Sequence, residues 1–516
     1  MMLPRDDHQD PVPLTKARLL IRQAAMHATR PLRLLEMADL INVTQYPPES
    51  RNLSAVKELV RSACKLPLQI LPDETISVGH NNVTESVTEA TLCSPESTDE
   101  FHSGLEPGPA HNRLAVLCLC YLSSGSPNHA SDVEPQGPFS WDYEDEQVPR
   151  LPFADYAAVN WPVHVQKASL LGHEQTEINE ILDSFLTGKT FEQWIDVWNQ
   201  ATQNETIPHL LDNRSTPLTV AVQLGLTEYV KLLLSRPETD VNTGCVYSGS
   251  PLCWAARKGL EEIVRLLLAA GADASIRTRY GETPAILAAS QNHPNIVKAL
   301  VDAGVSPFDT VCLNNGCVEA ISTTCHVSPI TMAIEHGHLE TVRVLSRYIE
   351  TAEQANSALH AAVRYRRPSI VELLLQQHPG LIDINLELAG KAALYTACAY
   401  RDARTIRLLL NAGADPNLRL GRLAGGGRNP NNTPLHALVS TDSLWGYPRT
   451  RREKGTPENT IECLEMLIAA GADVDQVDDE GNSVLSGVTD PIVAGLLVDA
   501  GEVPNTTIDD DDSAYR

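Results

Sequence analysis

A short motif recurs through the second half of the chain. Thr216-Pro217-Leu218, Ser250-Pro251-Leu252 and Thr283-Pro284-Ala285 begin three copies, and successive starts lie 34 and 33 residues apart. Looser copies begin at Ser328, Ser357, Ala392, Thr433 and Ser483. A repeat near 33 residues predicts a solenoid of stacked units, because one such unit is too small to bury its own apolar face.

The second copy indicates the fold of one unit. Ser250-Pro251 is typical of a helix start, since proline in the first turn loses no intrahelical hydrogen bond. Residues 260–270 predict a second, apolar helix, and Gly271 ends it where a left-handed backbone is needed. Gly-Ala-Asp follows the second helix in three copies, at 271–273, 413–415 and 471–473. These motifs resemble ankyrin repeats, and the resemblance implies a mostly α fold built as an ankyrin-repeat α-solenoid.

The repeat array is predicted to cover residues 206–505 as seven to eight units. The distance between motifs places insertions near 309–327 and 444–456. The last copy has lost most of the motif, as expected of a capping unit. Residues 506–516 contain four consecutive aspartates and predict a disordered acidic tail.

The part before the repeats predicts a small helical or winged-helix domain. Apolar spacing favours helices over 13–45 and 53–66, and residues 68–78 predict two strands joined by a turn. We assign residues 1–125 to this domain, 126–150 to a flexible linker and 151–205 to a helical connector.

Three segments of this part resemble the region between the NACHT domain and the ankyrin repeats of fungal NOD-like receptors. They are LQILPDETISVGHNNVTE at 68–85, NRLAVLCLCYLSSG at 112–125 and LPFADYAAVNWPVHVQ at 151–166. The resemblance implies a winged-helix or helical connector, and a receptor that lacks its NACHT ATPase. Gly188-Lys189-Thr190 does not supply a nucleotide site, because Asp183 stands where a Walker A loop needs glycine.

Composition and charge restrict the classes of function. The formal net charge is −26, which repels phosphate backbones and argues against nucleic acid as a partner. The eleven cysteines are scattered, which is typical of reduced thiols in the cytoplasm, with the nucleus as the alternative. The sequence has no signal peptide and no apolar run long enough to span a membrane.

We find no residue pattern that indicates catalysis or a cofactor. Cys312, Cys317, Cys325 and His326 lie in one inserted loop and could hold zinc, but their spacing lacks close ligand pairs. We therefore interpret the segment as an irregular loop whose three cysteines are reduced thiols. His360 and His436 occupy the histidine position of the repeat motif and have no nucleophile beside them, so we interpret both as structural. We therefore predict that the chain is not an enzyme and binds no cofactor or metal.

The repeats predict a surface for a protein partner on the concave face. Variable positions of the first helix of each unit, and the tips of the connecting hairpins, carry aromatic and basic side chains of the kind that anchor protein interfaces. The candidate partner-binding residues are Trp254, Arg257, Lys258, Arg279, Tyr280, Met332, Arg364, Tyr365, Tyr400 and Arg401.

The sequence thus predicts a non-catalytic scaffold that recognises a protein. The resemblance places it in fungal intracellular sensing or self/non-self responses. The alternative is an adaptor that delivers a client to an enzyme such as a ubiquitin ligase. No small-molecule substrate is indicated, and the partner itself is not identified by these residues.

Overall fold

The structure is a computed structural model, and the chain divides into two compact units. One unit comprises residues 1–255 and 262–273, and the other comprises 256–261 and 274–516. The structure describes residues 14–46, 51–64, 68–78, 106–124, 152–173, 176–188, 191, 194, 195, 198, 215–244, 249–312, 326–388, 391–420, 433–439, 457–478, 481–488 and 490–501.

A helical bundle with one β-hairpin forms the beginning of the first unit. β1 pairs antiparallel with β2, with Leu68 opposite Val78, as the strand pattern predicts. Helix α4 packs along α5 and also contacts α1, α2 and α6. The elements are α1 (Leu14–His27), α2 (Leu34–Gln45), α3 (Leu53–Ala63), β1 (Leu68–Ile70), β2 (Ile76–Val78), α4 (Pro107–Ser123), α5 (Ala154–Leu170) and α6 (Thr176–Thr187).

Aromatic side chains form part of the core of this bundle. Trp161, Phe185 and Trp194 are almost fully buried, and their ring centroids lie 5.6 to 6.0 Å apart. The indole N–H of Trp194 donates to the carbonyl oxygen of Ala158 at 3.1 Å, so its polar atom is satisfied. Such edge contacts add about 0.5–1.5 kcal/mol per pair beyond area burial. These rings therefore hold α5 and α6 together around one centre.

A chain of buried polar groups links three segments of the bundle. The Tyr156 hydroxyl accepts the Thr29 N–H at 3.1 Å and lies 2.9 Å from Nε2 of His164. Nδ1 of His164 lies 2.9 Å from Nδ1 of His111 on α4. At the contact between the two Nδ1 atoms one ring donates and the other accepts, so the two imidazoles cannot both be protonated there. Burial lowers the pKa of His111 to about 4 and that of His164 to about 3, so both rings are neutral at pH 7.

The repeats are helix pairs joined by hairpins or short turns. Seven pairs lie within the described ranges. In order of first and second helix they are α7 (Pro217–Gln223) with α8 (Thr227–Leu234), α9 (Pro251–Lys258) with α10 (Glu261–Ala269), α11 (Pro284–Ser290) with α12 (Pro294–Asp302), α13 (Pro329–His336) with α14 (Leu339–Leu345), α15 (Ala352–Arg364) with α16 (Pro368–Gln377), α17 (Ala393–Tyr400) with α18 (Ala403–Asn411), and α19 (Pro434–Val439) with α20 (Pro457–Ala469).

Side-chain caps begin the first helices where the motif predicts them. Thr216 Oγ1 accepts the N–H of Thr219 at 3.2 Å, and Thr283 and Ser328 cap α11 and α13 in the same way. The fifth unit differs, because its first helix starts at Ala352 and not at the predicted Ser357. There the backbone N–H of Thr351 donates to the side chain of Gln354, and the backbone N–H of Gln354 donates to the hydroxyl of Thr351. This capping box starts the helix five residues before Ser357.

In the second of the two compact units, the repeat helices stack in two rows. First helices α11, α13, α15, α17 and α19 pack on one another in order, and so do second helices α12, α14, α16, α18 and α20. The predicted insertion after α12 starts and ends in a two-residue ladder, in which β3 (Val311–Cys312) pairs with β4 (His326–Val327). The insertion predicted at 444–456 lies outside the described residues. The final copy is reduced to a 3₁₀ turn (Val484–Gly487) and α21 (Pro491–Asp499).

Gly337 ends α13 in a conformation that favours glycine. Its φ is 78°, and a Cβ there would lie 3.0 Å from Cζ of Arg367, whose guanidinium donates to the carbonyl oxygen of Glu335. We expect Gly337→Ala to lower the free energy of unfolding by about 1–2 kcal/mol from the backbone and by about 1 kcal/mol more from crowding. Gly413→Ala is the control, because Gly413 has a φ of 89° and open space around its Cβ position. If urea denaturation shows the same loss of unfolding free energy for Gly337→Ala and Gly413→Ala, crowding against Arg367 does not contribute.

Candidate partner-binding face

Most residues of the first helices α9, α13 and α17 are buried, and the last turn of each of these helices reaches solvent. In α9, every residue from 251 to 256 is buried, and Lys258 is exposed. Neighbouring units cover a first helix on its sides, so a partner can reach only the last turn and the hairpins. We call the accessible candidates the inner-helix face. All of its residues lie in the second of the two compact units, which spans several repeats. They are Arg257, Lys258, Arg279, Tyr280, Arg364, Tyr365, Tyr400 and Arg401.

Trp254 and Met332 do not belong to this face. Trp254 is 4% exposed, and Met332 is 8% exposed and clusters with Ile286, Val311 and Val327. The sequence analysis mapped both onto the surface from their position in the motif. Each lies one helical turn before the exposed end of its helix, where the neighbouring elements close over it. We therefore remove both from the candidate surface.

The first part of the face joins the end of α9 to the following hairpin. Arg257 forms an ion pair with Glu282, with 2.9 Å between Nη2 and Oε2. Tyr280 at the hairpin tip is 57% exposed, and Arg279 beside it is also exposed. Sequence reasoning missed Arg277, which is exposed on the same hairpin arm. The alternation Arg277-Thr278-Arg279 was the available signal, since residues two apart in an extended arm share a side.

A second part of the face lies at the ends of α13 and α15. Arg364 places its guanidinium carbon 5.8 Å from the centre of the Tyr365 ring. Burial, and then the nearby carboxylate of Glu335, raise the pKa of Tyr365. Burial and the charge of Arg364 lower the pKa of Lys391 to about 8. The sequence analysis missed Lys391, because only the folded hairpin brings it beside Arg364.

Arg401 has a structural role at the end of α17. It adopts a left-handed φ of 54°, at the position where Gly337 stands in the fourth unit. This conformation costs an L-residue about 1–2 kcal/mol. Nε of Arg401 donates to the carbonyl oxygen of Leu438 at 3.1 Å and so tethers the next unit. Tyr400 and Arg401 are both partly exposed at this helix end.

The two motif histidines make hydrogen bonds between neighbouring elements. His360 Nε2 lies 3.1 Å from the carbonyl oxygen of Leu386, and burial lowers the pKa of His360. His436 Nδ1 lies 2.7 Å from Thr433 Oγ1, and Nε2 lies 3.2 Å from the carbonyl oxygen of Asn482. Both side chains therefore connect a first helix to the hairpin that follows its unit.

No metal-binding arrangement of three or more His, Cys, Asp or Glu side chains occurs among the described residues. The loop with Cys317 and Cys325 lies outside those residues. Within the same described part, none of the helices combines the length and the apolar character needed to cross a bilayer.

Comparison with known proteins identifies the repeats. The sequence profile described as "Ankyrin repeats (3 copies)" matches five overlapping segments. They are 189–278, 218–311, 252–353, 309–387 and 349–420.

Several curated proteins are similar over this part of the chain. Ankyrin repeat and KH domain-containing protein mask-1 of Caenorhabditis elegans is 27% identical over 53% of this chain and 10% of its own length. E3 ubiquitin-protein ligase KEG of Arabidopsis thaliana is 22% identical over 52% of this chain and 17% of its own length. The B-cell lymphoma 3 protein homolog of Mus musculus is 26% identical over 40% of this chain and 46% of its own length. The chain thus spans from about one tenth to about half of the length of these relatives.

Two solved ankyrin repeat domains also align with the chain. The alignment with the ankyrin repeat domain of Bcl-3 covers 56% of this chain and 100% of the Bcl-3 chain, at 20% sequence identity and a TM-score of 0.36. The alignment with the ankyrin repeat domain of human ASB11 covers 56% of this chain and 99% of the ASB11 chain, at 21% sequence identity and a TM-score of 0.28. The profile match and the capped, two-row helix pairs lead to the same assignment. The protein is mostly helical and contains ankyrin repeats, a type of module that indicates a scaffold for protein–protein interaction.

Proposed function

We propose that the protein binds a protein partner through the inner-helix face, without catalysis. The observation that carries this proposal is the exposure pattern. First helices α9, α13 and α17 are mostly buried before their last turn, and the ends of α15 and α17 present the partly exposed Arg364, Tyr365 and Tyr400 in successive repeats. Arginine and tyrosine are the residues that most often anchor interfaces. A stacked scaffold is also preorganised, so binding orders few new groups.

The test is affinity capture from lysate with two matched double variants. Arg364→Glu with Tyr365→Ser alters the face. Arg347→Glu with Tyr348→Ser alters a neighbouring Arg-Tyr pair that follows the second helix α14, where the Tyr348 hydroxyl donates to Asp302 at 3.2 Å. We expect the first variant to lose a defined set of captured proteins about tenfold, and the second to keep it. Equal capture by both variants, at unchanged melting temperature, would contradict the proposal.

A second candidate function is an adaptor for a ubiquitin ligase. KEG and the putative E3 ubiquitin-protein ligase XBAT31, both of Arabidopsis thaliana, match this chain over 52% and 30% of its length. If ligase subunits dominate the proteins whose capture needs Arg364 and Tyr365, the adaptor function is favoured over simple recognition.

The role in fungal intracellular sensing is also a proposal. It rests on the three N-terminal segments that resemble the connector of NACHT–ankyrin receptors, and the structure of residues 79–105 and 125–151 is not described. We expect a NACHT ATPase among the captured proteins if the chain works with a nucleotide switch supplied separately. Its absence from repeated captures would contradict this role.

A further inference from the structure

The hairpin after α10 and the end of α9 form a basic, aromatic surface. The end of α9 and the segment from Gly271 to Glu282 carry four cations, Arg257, Lys258, Arg277 and Arg279, and two carboxylates, Asp273 and Glu282. Tyr280 stands among them with 57% of its surface exposed. We call Lys258, Arg277, Arg279 and Tyr280 the basic hairpin patch.

Internal hydrogen bonds hold this hairpin in shape. Thr278 N–H donates to the carbonyl oxygen of Glu282 at 2.9 Å, and Gly281 N–H donates back to Thr278 at 2.9 Å. Gly281 has a φ of 85°, which closes the turn around Arg279 and Tyr280. Thr278 is 4% exposed, so the tip is anchored from beneath. The patch therefore presents its side chains from a fixed backbone.

The carboxylate of Glu282 is occupied within the hairpin. Its Oε2 accepts from Arg257 Nη2 at 2.9 Å and from the Thr278 hydroxyl at 3.2 Å. The charge of Glu282 is thus matched by Arg257, which lies at the base of the hairpin. The three cations of the patch outnumber the remaining carboxylate of this stretch, Asp273, so this surface carries net positive charge, although the whole chain carries a net charge of −26.

We propose that the basic hairpin patch binds an acidic segment of the partner protein. In this complex, the guanidinium groups of Arg277 and Arg279 each donate two hydrogen bonds to a carboxylate, and an apolar side chain packs on Tyr280. This inference rests on the proposed function, since it names the chemistry of a partner for the same face. It assigns charge recognition to the hairpin and leaves Arg364 and Tyr365 as separate contacts.

The charge distribution favours an acidic protein segment over a nucleic acid. Binding to nucleic acid depends on many phosphate contacts spread along the backbone. The patch supplies three cations, which is few for a phosphate backbone, and the net charge of −26 on the whole chain repels a long polyanion. A short acidic segment can place its charges on the patch alone.

The experiment measures fluorescence anisotropy of a short labelled peptide of aspartate and glutamate with one central phenylalanine, added to the full chain. We expect saturable binding that weakens as salt rises from about 50 to about 300 mM. Arg277→Glu with Arg279→Glu should weaken this binding about tenfold or more. The matched control, Arg343→Glu with Arg404→Glu, reverses two charges on second helices, where both arginines make only 3.5 Å ion pairs. The control should bind as the parent does.

Three outcomes would overturn the inference. They are equal affinity in both double variants, equal affinity for a lysine peptide of the same length, and tighter patch-dependent binding of a labelled single-stranded oligonucleotide. The lysate captures separate this failure from failure of the proposed function. If Arg364→Glu with Tyr365→Ser abolishes capture while Arg277→Glu with Arg279→Glu leaves it unchanged, the scaffold function stands and the acidic-segment assignment falls.

Discussion

Replacement of Trp254 by alanine is expected to lower the free energy of unfolding by about 3–5 kcal/mol. The indole is 4% exposed inside α9, where residues 251 to 256 are all buried. Removing it leaves a large cavity that the short, sandwiched helix cannot close, so packing and burial are lost together. Urea denaturation followed by circular dichroism at 222 nm measures the change.

Tyr280→Ala is the matched control for this prediction. Tyr280 is also aromatic and lies in the same repeat, but 57% of its surface is exposed. We expect its substitution to change the free energy of unfolding by no more than about 0.5 kcal/mol. If the two variants unfold at the same urea concentration, the burial of Trp254 in the structure is wrong. A partner-binding role for Trp254 would then have to be reconsidered.

Mild acid is expected to destabilise the N-terminal bundle through the buried histidine pair. Burial, followed by the charge of neighbouring cations including Lys167, lowers the pKa of His111 to about 4. Burial and His111 lower the pKa of His164 to about 3. The unfolded chain, with an ordinary histidine pKa near 6.5, binds more protons than the folded chain below that pH. Stability is therefore complete above pH 6.5 and falls as the pH drops toward 3–4.

The expected loss from His164, which is fully buried, is about 1.4 kcal/mol per pH unit below 6.5, or about 2 kcal/mol at pH 5. His111 acts in the same direction. Asp39 acts in the opposite direction, because burial raises the pKa of its carboxyl and the folded state then gains stability as that group protonates.

Hydrogen exchange at pH 7 and pH 5 locates this effect, after correction for the intrinsic rates. Amides of α1, α4 and α5 should lose more protection at pH 5 than those of α12 and α18, two helices that contain no histidine. His164→Gln removes the titrating ring, so its free energy of unfolding should depend less steeply on pH, even if the variant is less stable at pH 7. A slope equal to that of the parent chain would contradict the neutral pair.

Local sequence predicted the elements whose causes are local. The Thr-Pro and Ser-Pro motifs predicted the starts of α7, α9, α11 and α13, because a capping hydroxyl and a proline act within one turn. Alternating side chains and a turn predicted the hairpin of β1 and β2 in the same way. The start of α15 was misplaced because the motif at Ser357 was favoured over the capping pair of Thr351 and Gln354.

The candidate face was predicted less completely, because exposure is a property of neighbours. Arg279 and Tyr280 are accessible as predicted, while Trp254 is not. The repeat motif gives the position of each residue along its helix, but which atoms stay uncovered depends on how the adjacent units pack. The proximity of Lys391 and Arg364 has the same origin.

The order of amino acids alone determined that the second half of this protein is a series of similar helix pairs, since periodic caps, glycines and apolar positions act over a few residues. Tertiary packing alone decided which of the aromatic and basic side chains can meet a partner. It also brought together His111 and His164, which are 53 residues apart in the chain. Removal of water from such sites, and the loss of charge that follows, depends on contacts between distant segments and is not encoded in any local pattern.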